Sequence, residues 1–543
     1  MDVVTIALFL MLAVVVSEVL SRMLPVAVPR PLVQIALGAA VGLVSNLRVA
    51  LNPELFFLLF LPPLLFLDGW RLPKDALVRD RAAILGLALG LVVFTVLGAG
   101  YFIHWMIPAM PLSVAFALAA IVSPTDPIAV SAIAARVPVP PRMMHILEGE
   151  SLLNDASGLV CLRFAVAATL TGTFSLASAS LTFLWVALGG VGIGAGVAWV
   201  ITLAQSWTSA RFGEESGSHI LISLLTPFAA YLAAEHFGAS GILAAVAAGI
   251  TMSVAETSGH TLSATRVRRG AVWDVVQFAV NGIIFVLLGE QLPGLLAAAD
   301  HIVGQSGHGD AWWLALFVVA ITAGLALLRV LWVWLSLRLT IFRARHAGAA
   351  RPGGRLIAAF SLAGVRGTIT MAGVLTLPLA LPDGRVFPSR ALAIFLAAGV
   401  ILLSLVVASV GLPLLLRGLS LPAEPRAQTE EKAARIAASE AAIAAVERAL
   451  HERGASGDDA DLAVAAAARV MDFYRARIAL RTNDTKEAER TRRSLDLEQE
   501  LRHRAIEAER EEIFRLIRAR EVGSETGQKL IRELDLLDAR YHA

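Results

Sequence analysis

Cysteine is almost missing: of 543 residues only Cys161 carries a thiol. That excludes an intramolecular disulfide and a thiolate metal cluster, and Cys161 itself reads as a small apolar packing residue. Charge is scarce as well. Asp, Glu, Lys and Arg make up 17% of the chain, with a formal net charge of +2, against about a quarter charged residues in soluble domains. The basic residues lie in loops between apolar runs rather than on one face, so no nucleic-acid partner is expected. The first apolar run also lacks a basic leader and a small-residue cleavage pattern, which makes it a first membrane helix rather than a removed signal. What the chain has instead is apolar residues: 57% are hydrophobic and the mean hydropathy is +0.70.

Runs of about 20 apolar residues, enough to cross a bilayer, fall near 3–21, 31–47, 52–70, 82–104, 112–135, 143–170, 177–205, 217–236, 239–256, 272–291, 311–339, 355–380 and 388–416. The expected fold is therefore an all-α polytopic membrane protein of about thirteen transmembrane helices. Alternate loops carry Arg22 and Arg30; Arg71, Lys74, Arg79 and Arg81; Arg136 and Arg142; Arg211; Arg266, Arg268 and Arg269; and Arg338, Arg343, Arg345, Arg351 and Arg355. The intervening loops offer only Arg48, Arg385 and Arg390. By the positive-inside rule the N-terminus is expected outside and the C-terminus in the cytoplasm. After Leu421-Pro422 the composition turns to Ala, Glu and Arg. Two domains are expected, a transmembrane domain over 1–421 and an α-helical cytoplasmic tail over 422–543, which serves assembly and stability or regulation.

The most informative stretch runs from Leu147 to Val160, where Glu150, Ser151, Asn154 and Asp155 interrupt an apolar helix. Glu150 and Asn154, and Ser151 and Asp155, are one turn apart, so an oxygen-rich stripe faces one direction. An ionisable side chain at bilayer depth costs about 2.5–3.5 kcal/mol on insertion scales and marks an ion path or a proton relay. Asp155 is the candidate for the transported charge. In Ser123-Pro124-Thr125-Asp126-Pro127 two prolines three apart should break the fifth span near Thr125. Asp126 sits at that break, where it either caps the following half-helix or faces an ion. Gly364-Val365-Arg366-Gly367 interrupts the twelfth span. Paired interruptions of this kind point to an inverted-repeat transporter whose freed backbone groups bind ions. Arg366 at mid-membrane needs a partner, and Glu150, the acid left over, is expected to be it.

Gly149-Glu150-Ser151-Leu152-Leu153-Asn154-Asp155, with Pro124-Thr125-Asp126-Pro127, Leu61-Pro62-Pro63-Leu64-Leu65-Phe66 and Gly364-Val365-Arg366-Gly367, resembles the first family of monovalent cation/proton antiporters. These are the bacterial NhaP-type Na+/H+ exchangers and their animal relatives. The resemblance implies a homodimer with an interface bundle and a six-helix core holding two crossed, discontinuous helices. It implies that Asp155 binds the cation and the proton beside Ser151, Asp126 and the Thr125 carbonyl. It implies electroneutral exchange from Asn154 in front of Asp155, and a structural ion pair of Glu150 with Arg366. One departure is visible. Many relatives carry a carboxylate where this chain has Leu67, and Asp68 follows one position later, turned by about 100 degrees; it is either a ligand or a helix-end acid. Asp274, Gln277, Asn281, Arg163 and Arg329 are expected in structural pairs.

The function expected is therefore plasma-membrane exchange of a monovalent cation for a proton, by competition at Asp155 and alternating access. Na+ is the expected cation, with Li+ or K+ as alternatives, and in a bacterium the membrane is the inner one and the purpose pH homeostasis. Membrane lipid, a second copy of the chain and the cation are the expected partners; no cofactor and no enzymatic activity are expected. A K+-selective exchanger, or a cation channel or ion-gated signalling protein with the tail as output, is the alternative. A membrane hydrolase is the weaker rival, because no His accompanies Ser151 and Asp155.

Overall fold

The computed structural model describes residues 3–23, 28–44, 53–72, 86–126, 130, 141–172, 176–213, 215–256, 263–339, 354–416, 425–453, 458–482 and 486–542. Arg48, Lys74, Arg79, Arg81, Arg136, Arg343, Arg345 and Arg351 lie outside them, as does the stretch after Asp126 that was expected to complete the fifth span, Val130 apart. So does Leu421-Pro422, the expected domain boundary.

The regular secondary structure of the described residues is helical, with one isolated β-bridge between Ala380 and Val386. They fall into two compact units, Met1–Leu419 and Ser420–Ala543. The first unit holds α1 (Val3–Met23), α2 (Arg30–Val44), α3 (Pro53–Arg71), a π-helical turn (Gly86–Leu91) leading into α4 (Val92–Met106), α5 (Leu112–Val122), α6 (Pro141–Thr171), α7 (Leu176–Phe212), α8 (Ser216–His236), α9 (Gly241–Glu256), α10 (Ser263–Ala297), the short α11 (Ala299–Gly304), α12 (Trp312–Leu339), α13 (Gly354–Leu362), α14 (Thr368–Leu375) and α15 (Arg390–Leu416).

Seven helical stretches among the described residues are each long and apolar enough to cross a bilayer: Thr5–Met23, Leu89–Met106, Leu184–Phe212, Ser216–His236, Thr265–Ala297, Trp312–Leu335 and Arg390–Leu416. The protein is a multi-pass membrane protein. The other apolar segments are shorter for visible reasons. α5 stops at Ser123-Pro124, because the proline ring disfavours helix in the residue before it. The helical path of the twelfth span leaves α-geometry over Ala363–Gly367 and resumes as α14. α5 ends where the prolines predict a break, and the twelfth span is interrupted at the Gly-Val-Arg-Gly stretch. α6 remains one continuous helix of 31 residues despite its acids.

Packing sorts these helices into two groups. α4, α5, α6, α12, α13, α14 and α15 pack chiefly on one another. So do α1, α2, α3, α7, α8, α9 and α10, with α2 against α10, α3 against α9 and α7 against α9 as the tightest pairs. The second group closes through glycines: a Cβ on Gly249 of α9 would meet the backbone of Phe66 and Trp70 in α3, and one on Gly289 of α10 would meet Ile35 and Ala39 in α2. Small residues let membrane helices approach backbone to backbone, which is what holds them together where no hydrophobic drive separates protein from lipid. Between the groups lies a thinner seam, touched by α14 on α3 and α10, α15 on α2 and α10, and α6 on α3 and α9.

The second unit consists of α16 (Pro425–Arg453), α17 (Asp458–Thr482), α18 (Lys486–Arg518) and α19 (Ser524–His542). α16 packs on α17, and α18 pairs with α19. Arg510 of α18 reaches Asp535 and Asp538 of α19 at 3.1 and 2.9 Å, and His503 reaches Asp538 at 3.2 Å.

Candidate functional site

The site lies where the two interruptions meet α6. The amide of Asp126, in the first, donates to the carbonyl of Val365, in the second, at 2.7 Å. Two glycines permit the close approach. A Cβ on Gly158 of α6 would strike the Pro124 ring, and one on Gly367 would overlap the Asp126 carboxylate. That carboxylate thus rests on the residue that caps α14, where the positive end of the helix favours an anion. Asp126 thus touches the interruption of the twelfth span.

From α6, Glu150, Ser151, Asn154 and Asp155 all turn inward, none more than 4% exposed. Asn154 Nδ2 donates to Thr125 Oγ1 at 3.0 Å, and Thr125 Oγ1 donates to Glu150 Oε1 at 3.2 Å. Glu150 then accepts Arg329 Nη1 on Oε1 at 2.5 Å and Arg329 Nη2 on Oε2 at 2.8 Å. This is a bidentate carboxylate–guanidinium fork between side chains 0% and 3% exposed. Arg329 Nε donates to the Phe360 carbonyl at 3.2 Å.

The expected pairing of Glu150 with Arg366 is therefore corrected: the fork belongs to Arg329. Arg366 donates from Nε to the Val122 carbonyl at 2.9 Å and from Nη1 to the Gly364 carbonyl at 2.5 Å, and its amide donates to Ser404 Oγ at 3.2 Å. Val122 ends α5 and Gly364 follows α13. Carbonyls at helix C-termini lack intrahelical partners and carry the negative end of the dipole, so a cation suits them. Arg366 holds the ends of two broken helices, and its charge still acts together with those of Arg329 and Glu150. Charge counting pointed to an inward base at this depth. Spacing along the chain did not distinguish Arg329 from Arg366, and the signal for Arg329 was its place as a base deep in an apolar helix.

Asp155 is 3% exposed and has Ser151 as a side-chain hydrogen-bond partner one turn away; the charges of Asp126, Asp68 and Glu150 all act on it. Among the described residues no Arg, Lys or His is paired with it. Asp68 is exposed although its neighbours Leu67 and Gly69 are buried, and its charge interacts with those of Asp126 and Glu148. The displacement by one residue has not taken Asp68 out of the electrostatic neighbourhood of the site. Two further buried oxygens, Asn154 Oδ1 and Ser123 Oγ, have no hydrogen-bond partner among the described residues. Sequence reasoning passed over Ser123 and Ser404, which carry no charge and follow no spacing.

Of the other polar residues expected in pairs, Asn281 is buried with no hydrogen-bond partner for its Oδ1 among the described residues, and the rest are paired. Arg71 donates to Asp274 at 2.5 Å and to Gln277 at 2.8 Å, and Arg163 meets Glu235 at 2.7 Å.

The sequence of residues 6–418 matches the model of a family described as sodium/hydrogen exchanger, transmembrane. An uncharacterized Na(+)/H(+) exchanger of Escherichia coli K12, YjcE, is 41% identical over 98% of this chain and 97% of its own length. A sodium, potassium, lithium and rubidium/H(+) antiporter of Bacillus pumilus is 44% identical over 76% of this chain and 61% of its own length. Among solved structures, the sodium proton antiporter MjNhaP1 of Methanocaldococcus jannaschii matches with a TM-score of 0.56, covering 77% of this chain and 99% of that one. Sequence identity there is 18%, so this likeness concerns the fold.

Proposed function

The chain belongs to the family of transmembrane sodium/hydrogen exchangers, and on that premise we propose that it exchanges Na+ for a proton at Asp155, one for one. The observation that supports this reading is the contrast between two acids on one helix. Glu150 is neutralised by the Arg329 fork, whereas Asp155 is buried beside Ser151 and under the charge of Asp126, with no base paired to it among the described residues. A carboxylate out of water is stable only when neutralised. At Asp155 the neutralising species is a proton or a dehydrated alkali cation, held by Asp155, Ser151, Asp126 and the Thr125 carbonyl, and the two exclude each other. Hard oxygen donors suit such a cation. With Asn154 uncharged and Glu150 paired, the exchange moves no net charge.

The proposal includes a homodimer in the plasma membrane, thirteen spans with inverted repeats and two crossed discontinuous helices, and an outside N-terminus with a cytoplasmic C-terminus, as the loop arginines favour. The first helix group forms the moving core and the second the dimer scaffold. The tail assists assembly or regulates. The relative from Bacillus pumilus, by its name, also handles potassium, lithium and rubidium, so selectivity is the first quantity to measure. In reconstituted vesicles holding a pH gradient, added Na+ and Li+ are expected to dissipate it and K+ to act more weakly; a gradient untouched by all three contradicts the proposal.

A further inference from the structure

We propose that Arg163 and Glu235 form a releasable latch between the two helix groups, holding the side of the site remote from Asp68 closed. The inference rests on the exchange reading above.

Among the described residues, the other ion pairs seen between helices of the membrane unit fall within one group. Arg30 meets Glu18 at 3.0 Å, Arg71 meets Asp274, and Arg269 meets Glu256 at 2.7 Å, all in the second group; Arg329 meets Glu150 in the first. Arg163 and Glu235 differ because they join α6 to α8 across the seam. α6 is the helix that carries Asp155, and Arg163 lies eight residues beyond it, about 12 Å along the axis at 1.5 Å per residue. Asp68 and Glu148 lie in the other direction. Of the two directions, the one toward Asp68 leads to an exposed carboxylate between buried neighbours, and the one past Arg163 carries the bridge.

The pair is built to open. Glu150 and Arg329 are 0% and 3% exposed, so parting them would strand a buried charge. Arg163 and Glu235 are 46% and 34% exposed, so parting them strands no fully buried charge. Glu235 keeps its place without Arg163, because its Oε1 also accepts the amide of Gly241 at 3.2 Å. Gly241 opens α9, and a carboxylate at a helix N-terminus is held by the dipole. One partner is thus fixed on the scaffold and the other rides on the helix that bears the transported charge. Movement of the first group past the second must break this contact and reform it once per cycle.

The test uses the full-length protein with Cys161→Ser, Arg163→Cys and Glu235→Cys, joined by a short bis-methanethiosulfonate reagent that reductant cleaves. In vesicles the joined protein is expected to lose Na+-driven proton flux at least ten-fold and to regain it on reduction. Undiminished flux through the joined protein overturns the latch. If the reduced protein shows no flux with any alkali cation, it is the exchange reading that fails. The latch is then decided by spin labels at Thr171 and Phe237, both exposed at this end, with Cys161→Ser. Arg163→Ala is expected to shift the populations toward the longer distance by about two- to five-fold, the range of an exposed ion pair, and Arg163→Lys to restore them; an unchanged distribution overturns it.

Discussion

Glu150 and Asp155 are five residues apart on α6 and equally buried, yet among the described residues only Glu150 is paired with a base. The difference predicts opposite phenotypes. Glu150→Ala or Arg329→Ala leaves one buried charge uncompensated, at about 3–5 kcal/mol, so both variants should melt at lower temperature. The pair Glu150→Leu with Arg329→Met should regain most of that loss, since apolar residues of similar volume replace buried pairs at little cost. A double variant that melts no higher than the singles contradicts the account. Asp155→Asn, by contrast, should fold and melt as the wild type does. The burial of Ser151 and Asp155 on one face of α6 was legible from helical spacing, because they lie one turn apart. The partner of Glu150 was not. Arg329 and Arg366 share a depth, and what separates them is the carbonyls of Val122 and Gly364, which exist as acceptors only once both spans have broken.

At the scale of elements, the two interruptions are held together by the Asp126–Val365 backbone bond, the Arg366 fork on two carbonyls and the contact of Asp126 with Gly367. A methyl group at Gly367 would push on the Asp126 carboxylate rather than on a flexible side-chain end. Overpacking of this kind costs about 1–3 kcal/mol, so Gly367→Ala should raise the apparent KM for Na+ by about ten-fold while the protein remains folded. An unchanged KM would remove Asp126 from the cation site. The scaffold has its own test: Gly289→Leu, which sets a side chain against the backbone of Ile35 and Ala39, should lower the melting temperature by separating α2 from α10. Both breaks were legible, the first from proline chemistry and the second from a Gly-Val-Arg-Gly stretch inside an apolar run. Which glycines allow close approach was not, because that depends on neighbours distant in sequence: Gly249 meets Phe66, and Gly289 meets Ile35.

The whole molecule divides into two compact units, and the membrane unit into two helix groups with a seam between them. The change in composition after Leu421-Pro422 foretold a helical tail; the sorting of helices into groups left no trace in composition, since every span is apolar. If the tail only assists assembly or regulates, residues 1–419 alone should still dissipate a pH gradient on addition of Na+, and loss of all flux from a folded 1–419 protein contradicts this. If the exchange moves no net charge, an imposed membrane potential should leave its rate unchanged. The most direct test of the central claim is Na+-driven proton flux through reconstituted Asp155→Asn. The account predicts a folded protein whose flux falls to that of protein-free vesicles, and flux at the wild-type rate would contradict it.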